Sequence, residues 1–299
     1  MGHPVRSALL IFTAIAVGAT TVIAVITWSM GWTVQSPAWG VLVPFAMWAP
    51  AFGRLVARLT VDRDFRSTIP LRRWGTTGAG VVLRPLAFPL LVYGGTYAIA
   101  WTTGLAQWNP GEGKWTTGSQ IAANVVINLS ILGVFGTLTA MGEEIGWRGY
   151  LQPRLDAAGL RSSLIIVWLV QLAYHLPLML GASYVDLGDL SVSVVLFAIG
   201  DFPFTFIAAR ECYLARSLWP AVFFHSFHNT ISQWLFPRFF TVGASQIWLQ
   251  GEDGVLPMAG YALLGVFFFV VMRRRGQSWQ ALAREALADD SSTRNVVRA

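Results

Sequence analysis

Residues 131–152 read ILGVFGTLTAMGEEIGWRGYLQ. The apolar character extends back to about residue 121, which is long enough to cross a bilayer, since about 20 helical residues at 1.5 Å each match its ~30 Å hydrocarbon core. The run ends on two consecutive carboxylates, Glu143 and Glu144. Ionisable groups beside or inside such a run are costly, so each marks a candidate site.

The rest of the chain repeats this pattern. Of 299 residues 55% are hydrophobic and 12% charged, and mean hydropathy is +0.55, whereas soluble domains carry roughly a quarter charged residues. Further apolar runs fall at roughly 7–28, 38–57, 85–103, 163–181, 190–209, 218–236 and 255–272, each near the ~20 residues a span requires. With 121–142 they predict an all-α, polytopic membrane bundle of about eight transmembrane helices. Pro44, Pro50, Pro177, Pro203 and Pro220 mark kinks or helix starts. Residues 1–275 form the membrane domain and 276–299 a tail, in which Trp279 to Leu287 reads as a short surface helix before a polar end.

Basic residues set the orientation. Arg6, Arg54, Arg58, Arg63, Arg66, Arg72, Arg73, Arg84, Arg148, Arg154, Arg161, Arg210, Arg216 and the stretch from Arg273 share one side, and Lys114 and Arg238 lie opposite. Both termini are therefore expected in the cytoplasm, with Glu112, Asp186, Asp189, Glu252 and Asp253 outside. The pI near 10 reflects this placement rather than nucleic-acid binding, because no recognition motif accompanies it. The first run is read as a span, being long for a leader and lacking a small-residue cleavage site. Cys212 is the single cysteine, which excludes an intrachain disulfide and a cysteine-rich metal cluster.

Few acids or histidines fall in the apolar runs or at their ends: Glu143 and Glu144, His175, Asp201, His225 and His228. Glu144 and Arg148 are four apart and share a helix face, which suits an ion pair. Glu143 is rotated from Glu144 by about 100° and is free to face the bundle. His225 and Asn229 are also four apart, presenting an imidazole and a carboxamide to one cavity, as stabilisation of an oxyanion requires. His175 completes a site in which it and Glu143 hold and deprotonate a water. His228, three residues from His225, is placed to assist or replace it, and Asp201 is read as countering a buried arginine or histidine. At 1.5 Å per residue His225 lies about 10 Å and His175 about 18 Å from the cytoplasmic ends of their helices. With Glu143 near that boundary, the cavity is expected to open to the cytoplasm.

This ordered set resembles the CPBP family, which includes type II CAAX prenyl proteases, lysostaphin resistance protein A-like proteins and bacteriocin-immunity Abi proteins. The resemblance rests on Glu143, Glu144 and Arg148 followed by Gly149-Tyr150-Leu151-Gln152, on His175, and on His225 and Asn229 preceded by Ser217-Leu218-Trp219-Pro220, and it covers residues 121–236. It implies an intramembrane endopeptidase acting on a membrane-associated or C-terminal, CAAX-like peptide. Glu143 and His175 would activate water, and His225 and Asn229 would hold the oxyanion. The family commonly has Phe four residues before the second-motif histidine, where this chain has Gln171.

A divalent metal such as zinc stays open, with Glu143, His175 and His225 as candidate ligands, although no His-Glu-x-x-His pair is present. Serine and cysteine nucleophiles are excluded, because there is no Gly-x-Ser-x-Gly and no usable cysteine nucleophile. Expected partners are a peptide or membrane-protein substrate and the lipid bilayer. Arginine richness with almost no lysine points to a bacterial plasma membrane. The other reading is a noncatalytic immunity or membrane scaffold protein, whose polar cluster only ties helices together. A proton-coupled transporter is the third, but no repeated halves are visible.

Overall fold

The computed structural model describes residues 2–63, 69–71, 74–184, 187–243 and 249–295. Arg66, Arg72, Arg73 and Asp186, used above for orientation, lie outside them. The chain is an all-α bundle: α1 (His3–Ser29), α2 (Trp39–Thr60), α3 (Gly80–Thr102), α4 (Gly118–Ile127), α5 (Gly133–Gly146), α6 (Gln152–Ala157), α7 (Ser163–Ala182), α8 (Leu190–Ala215), α9 (Trp219–Asn229), α10 (Val255–Arg274) and α11 (Trp279–Asn295). Its one small sheet pairs β1 (Ala106–Trp108) antiparallel with β2 (Phe240–Val242).

Among the described residues seven helices are long and apolar enough to cross a membrane. The eighth expected span is shorter. It consists of α9 continued by a π-helical stretch, Thr230–Leu235, in all about 25 Å of helix. It still crosses the bundle. Leu218 N–H donates to the Pro70 carbonyl at one end, and β2 meets β1 beyond α3 at the other.

Helices α4, α5 and α6 form one continuous rod from Gly118 to Ala157, joined by π-helical turns at Asn128–Leu132 and Trp147–Leu151. The expected span 121–142 therefore does not stop at Glu143. About 21 Å of helix follow it, which places Glu143 well inside the bundle rather than at its boundary.

Glycine sets the contact between α5 and α2. A Cβ on Gly142 would stand 2.7 Å from the Met47 carbonyl oxygen, and one on Gly146 2.6 Å from the Pro50 carbonyl carbon. Close backbone approach of this kind is how helices pack where lipid removes the hydrophobic drive between them. On its other side α5 is tied to α9. Ser226 donates to the Gly133 carbonyl (3.0 Å) and shares a hydrogen bond with Thr137 (3.0 Å), one residue from His225.

The start of α1 and the helix α11 lie at one end of the bundle. Val5 of α1, Ala57 of α2 and Leu155 of α6 belong to one apolar cluster. The expected tail helix is α11, which buries Leu282, Ala283, Ala286 and Leu287 in the main core. Trp279 Nε1–H also donates to Asp156 of the segment that carries Leu155 (3.0 Å). The opposite end holds the α1–α2 turn, where Val34 N–H donates to the Ala182 carbonyl (2.9 Å), together with the β1–β2 sheet and the segment before α10. We call these the terminal end and the far end.

Candidate active site

Glu143 is nearly fully buried on α5, and its Oε2 accepts a hydrogen bond from Trp147 Nε1–H at 3.0 Å. The indole is itself fixed, edge-on to Phe12 (centroids 5.1 Å) and Tyr174 (5.5 Å). The carboxylate is thus held in one orientation by a neighbour one helical turn away.

Glu144 does more than the expected pairing. Its Oε1 accepts from Arg148 Nη1 (3.0 Å) and also from His225 Nδ1 (2.9 Å), with both Glu144 and Arg148 fully buried. A carboxylate only accepts, so His225 carries its proton on Nδ1 and turns Nε2 toward the cavity. Glu144 therefore orients the histidine as well as neutralising the arginine, whose guanidinium lies 5.8 Å from the Phe204 ring.

His175 obeys the same logic. Its Nδ1 lies 2.9 Å from the Gln171 carbonyl, which can only accept, so Nδ1–H donates and Nε2 is left with its lone pair. Tyr174, Phe197 and Tyr184 surround the ring, with centroids 4.7, 4.8 and 5.8 Å away. The departure at Gln171 costs the histidine nothing. The backbone of that residue supplies the acceptor, while its side chain accepts from Thr205 of α8 (2.8 Å).

All four expected catalytic residues, Glu143, His175, His225 and Asn229, line one cavity of about 480 Å³, in the size range of ligand sites. The same four line a narrow chamber of about 40 Å³ that branches from it and adds Asp201, His228, Glu252 and Asp253. His228 faces only this chamber. Its Nδ1 is 2.8 Å from the Tyr261 hydroxyl and its Nε2 3.4 Å from Glu252, so it is bracketed by α10 and the segment before it rather than standing beside the larger cavity. Asp201 lines the chamber, and its Oδ2 has no hydrogen-bond partner.

Glu252 and Asp253, which the sequence presents only as outer-side acids, line the chamber. They reach the site because residues 249–254 fold inward: Gln250 is fully buried and donates to the Leu105 carbonyl (2.8 Å), and Glu252 accepts from Gln233 (2.9 Å). Nothing in the local sequence signals this docking, which depends on α3 and α9. Burial first, then the Glu252 carboxylate and Asp201, push the Asp253 carboxyl well above the usual carboxylate range. Such a group binds its proton more tightly folded than unfolded. Its contribution to stability is complete below the unfolded value of about 3.9 and is lost as pH rises through the folded value. Asp253→Asn should therefore raise the Tm of the purified protein at neutral pH, by at least about 2 °C, the shift that ~1 kcal/mol gives in larger domains. The gain should vanish at acidic pH, where both side chains are neutral.

The cavity does not open where expected. Its walls are Val34 to Trp39 of the α1–α2 turn, the first half of α2, Leu132 to Thr139, the second half of α7, and Thr230 to Trp234. All of these belong to the far end. His175 lies seven residues from the last residue of α7 and twelve from its first, and Glu143 is deep in its rod. The expected opening toward the terminal, arginine-rich end is revised accordingly.

Nε2 of His175 and of His225 is chemically suited to a divalent cation, each ring being held by a hydrogen bond on Nδ1. Yet among the described residues no group of three or more His, Cys, Asp or Glu stands at ligand separation. The residues as arranged do not make a metal site, and no step below is routed through one.

Residues 125–231 match the family model described as type II CAAX prenyl endopeptidase Rce1-like. The match spans Glu143, Glu144, Arg148, His175, His225 and Asn229, and the resemblance read from the motifs is borne out. No curated protein sequence matches the chain.

Proposed function

We propose that this integral membrane protein is an intramembrane endopeptidase that hydrolyses a peptide bond with an activated water. The single observation that carries the reading is the convergence of Glu143, His175, His225 and Asn229, from three helices, on one cavity inside a stretch similar to a peptidase family.

The chemistry follows from the orientations. A water between Glu143 and His175 Nε2 gives a proton to the carboxylate and adds as hydroxide to the scissile carbonyl carbon. The negative charge that develops on oxygen lies between the Asn229 amide N–H and His225 Nε2–H. His225 donates there as an imidazolium, which the Glu144 carboxylate on Nδ1 stabilises. Glu143 then returns its proton to the departing amine as the C–N bond breaks, leaving a carboxylate and a new amine.

The arginine bias supports a cytoplasmic terminal end. Purified protein incubated with membrane-anchored peptides should cut them, with new termini identified by mass spectrometry, and Asn229→Ala should slow cleavage by about 10²–10³, the usual effect of removing an oxyanion donor. A wild-type protein that cuts nothing, or an Asn229→Ala variant as active as wild type, would favour the noncatalytic scaffold reading.

A further inference from the structure

We infer that the site takes its substrate from the extracytoplasmic side of the membrane, as an extended juxtamembrane segment of a membrane-anchored polypeptide, received sideways between α2 and the α4–α5 rod. The inference rests on the peptidase reading for the word substrate, and on independent geometry for the side.

Two observations fix the side. Among the described Lys and Arg residues only Lys114 and Arg238 fall at the far end, a bias that assigns that end to the outside. The cavity walls all belong to it: Gln35 and Ser36 at the rim, Trp39 and Val43 on α2, Gln233 and Trp234 after α9. The site and the basic residues therefore lie toward opposite faces. A C-terminus presented in the cytoplasm, as a prenylated one would be, meets the closed end.

The route follows from how α2 meets α5. Near mid-bundle Gly142 and Gly146 bring the two backbones into contact, which closes the bundle below the cavity. Toward the far end Trp48 Nε1–H still donates to the Leu138 carbonyl (3.1 Å), and beyond that bond Trp39 and Val43 of α2 and Leu132, Phe135 and Gly136 of the rod are walls of the cavity. The outer edges of this cleft are apolar and exposed, with Phe45 66% and Ile131 65% accessible, as lipid-facing residues are.

A peptide bond within a transmembrane helix is shielded, and unwinding it in lipid would strand its backbone N–H and C=O groups. Polar groups of Ser36, Asn229, Thr230 and the Gln233 side-chain oxygen stand in the cavity wall, where they can pair such groups. A segment just outside its own membrane anchor, already extended, meets the least cost on passing between α2 and α5.

The chain's only cysteine, Cys212, is fully buried, so single introduced cysteines report cleanly. Gln35→Cys at the cavity rim and Ala281→Cys on α11 should be made in the full chain and treated in intact cells with a membrane-impermeant maleimide. We expect labelling of Gln35→Cys before lysis and of Ala281→Cys only after it. The reverse pattern, or equal labelling of both, overturns the assigned side whether or not the protein is a peptidase. In a second arm, a single-span polypeptide bearing the same cleavable segment outside or inside the membrane should be cut only in the outside arrangement. Cutting of the inside arrangement overturns the inference. If neither is cut while the labelling pattern holds, the peptidase reading fails and the orientation stands.

Discussion

Glu143→Gln is expected to lower kcat by about 10³, within the 10²–10⁴ range for removing a general base, with little change in KM. The substitution is the informative one because of what holds the side chain. Trp147 donates its indole N–H to Glu143 Oε2 in a fully buried position, and the carbonyl oxygen of Gln accepts that same bond. Fold and cavity shape are therefore kept, while the group can no longer take a proton from water. Glu143→Ala would confound the result, because it orphans a buried indole donor at a cost of about 1–3 kcal/mol. The measurement is single-turnover cleavage of an anchored peptide, alongside thermal unfolding of both proteins. A Gln variant with wild-type kcat would remove Glu143 from the chemistry.

The reason the sequence misplaced Glu143 in depth is instructive. Two adjacent carboxylates and an arginine at the end of an apolar run look like the polar edge of a membrane, so the run reads as a span ending at residue 142. In the structure these charges are solved internally: Glu144 is neutralised by Arg148 and engaged by His225, Glu143 is tethered by Trp147, and the helix runs on to Ala157. Partners on the same helix could be read from spacing, as Glu144 with Arg148 was. The partner on α9, 81 residues away, could not. The convergence of Glu143, His175, His225 and Asn229 was legible because each is an ionisable or amide group in an apolar run, where polar residues are rare and seldom idle.

What could not be read is what depends on how elements dock. Gln171 looks like a weakness beside His175 in the sequence, yet its backbone carbonyl is the contact that orients the ring, one that any residue at that position offers. Glu252 and Asp253 precede the last span and looked like ordinary outer-loop acids. They belong to the site because Gln250 anchors their segment beneath α3. The direction in which the cavity opens also required the structure, since it is decided by how α2 docks on the α4–α5 rod.

Glu144→Gln is expected to destabilise the protein by about 3–5 kcal/mol, the cost of leaving a buried charge without its partner. Arg148 is 1% exposed, its Nη1 bonds Glu144, and its Nε and Nη2 have no hydrogen-bond partner, so no other carboxylate is bonded to take over. The pair should therefore behave as a unit. Arg148→Met alone leaves the buried Glu144 carboxylate with only the His225 N–H and is expected to be harmful too, whereas the double variant Glu144→Gln/Arg148→Met removes both charges and should recover much of the lost stability, a coupling that a double-mutant cycle reads directly in thermal unfolding. Activity should not recover with it. His225 would still lack the carboxylate that stabilises its imidazolium, so the refolded double variant should remain at least about tenfold slow in kcat, ~1.4 kcal/mol of lost transition-state stabilisation. Stability and catalysis restored together would reduce Glu144 to a counter-ion. Stability restored without catalysis separates its two roles, one toward Arg148 and one toward His225.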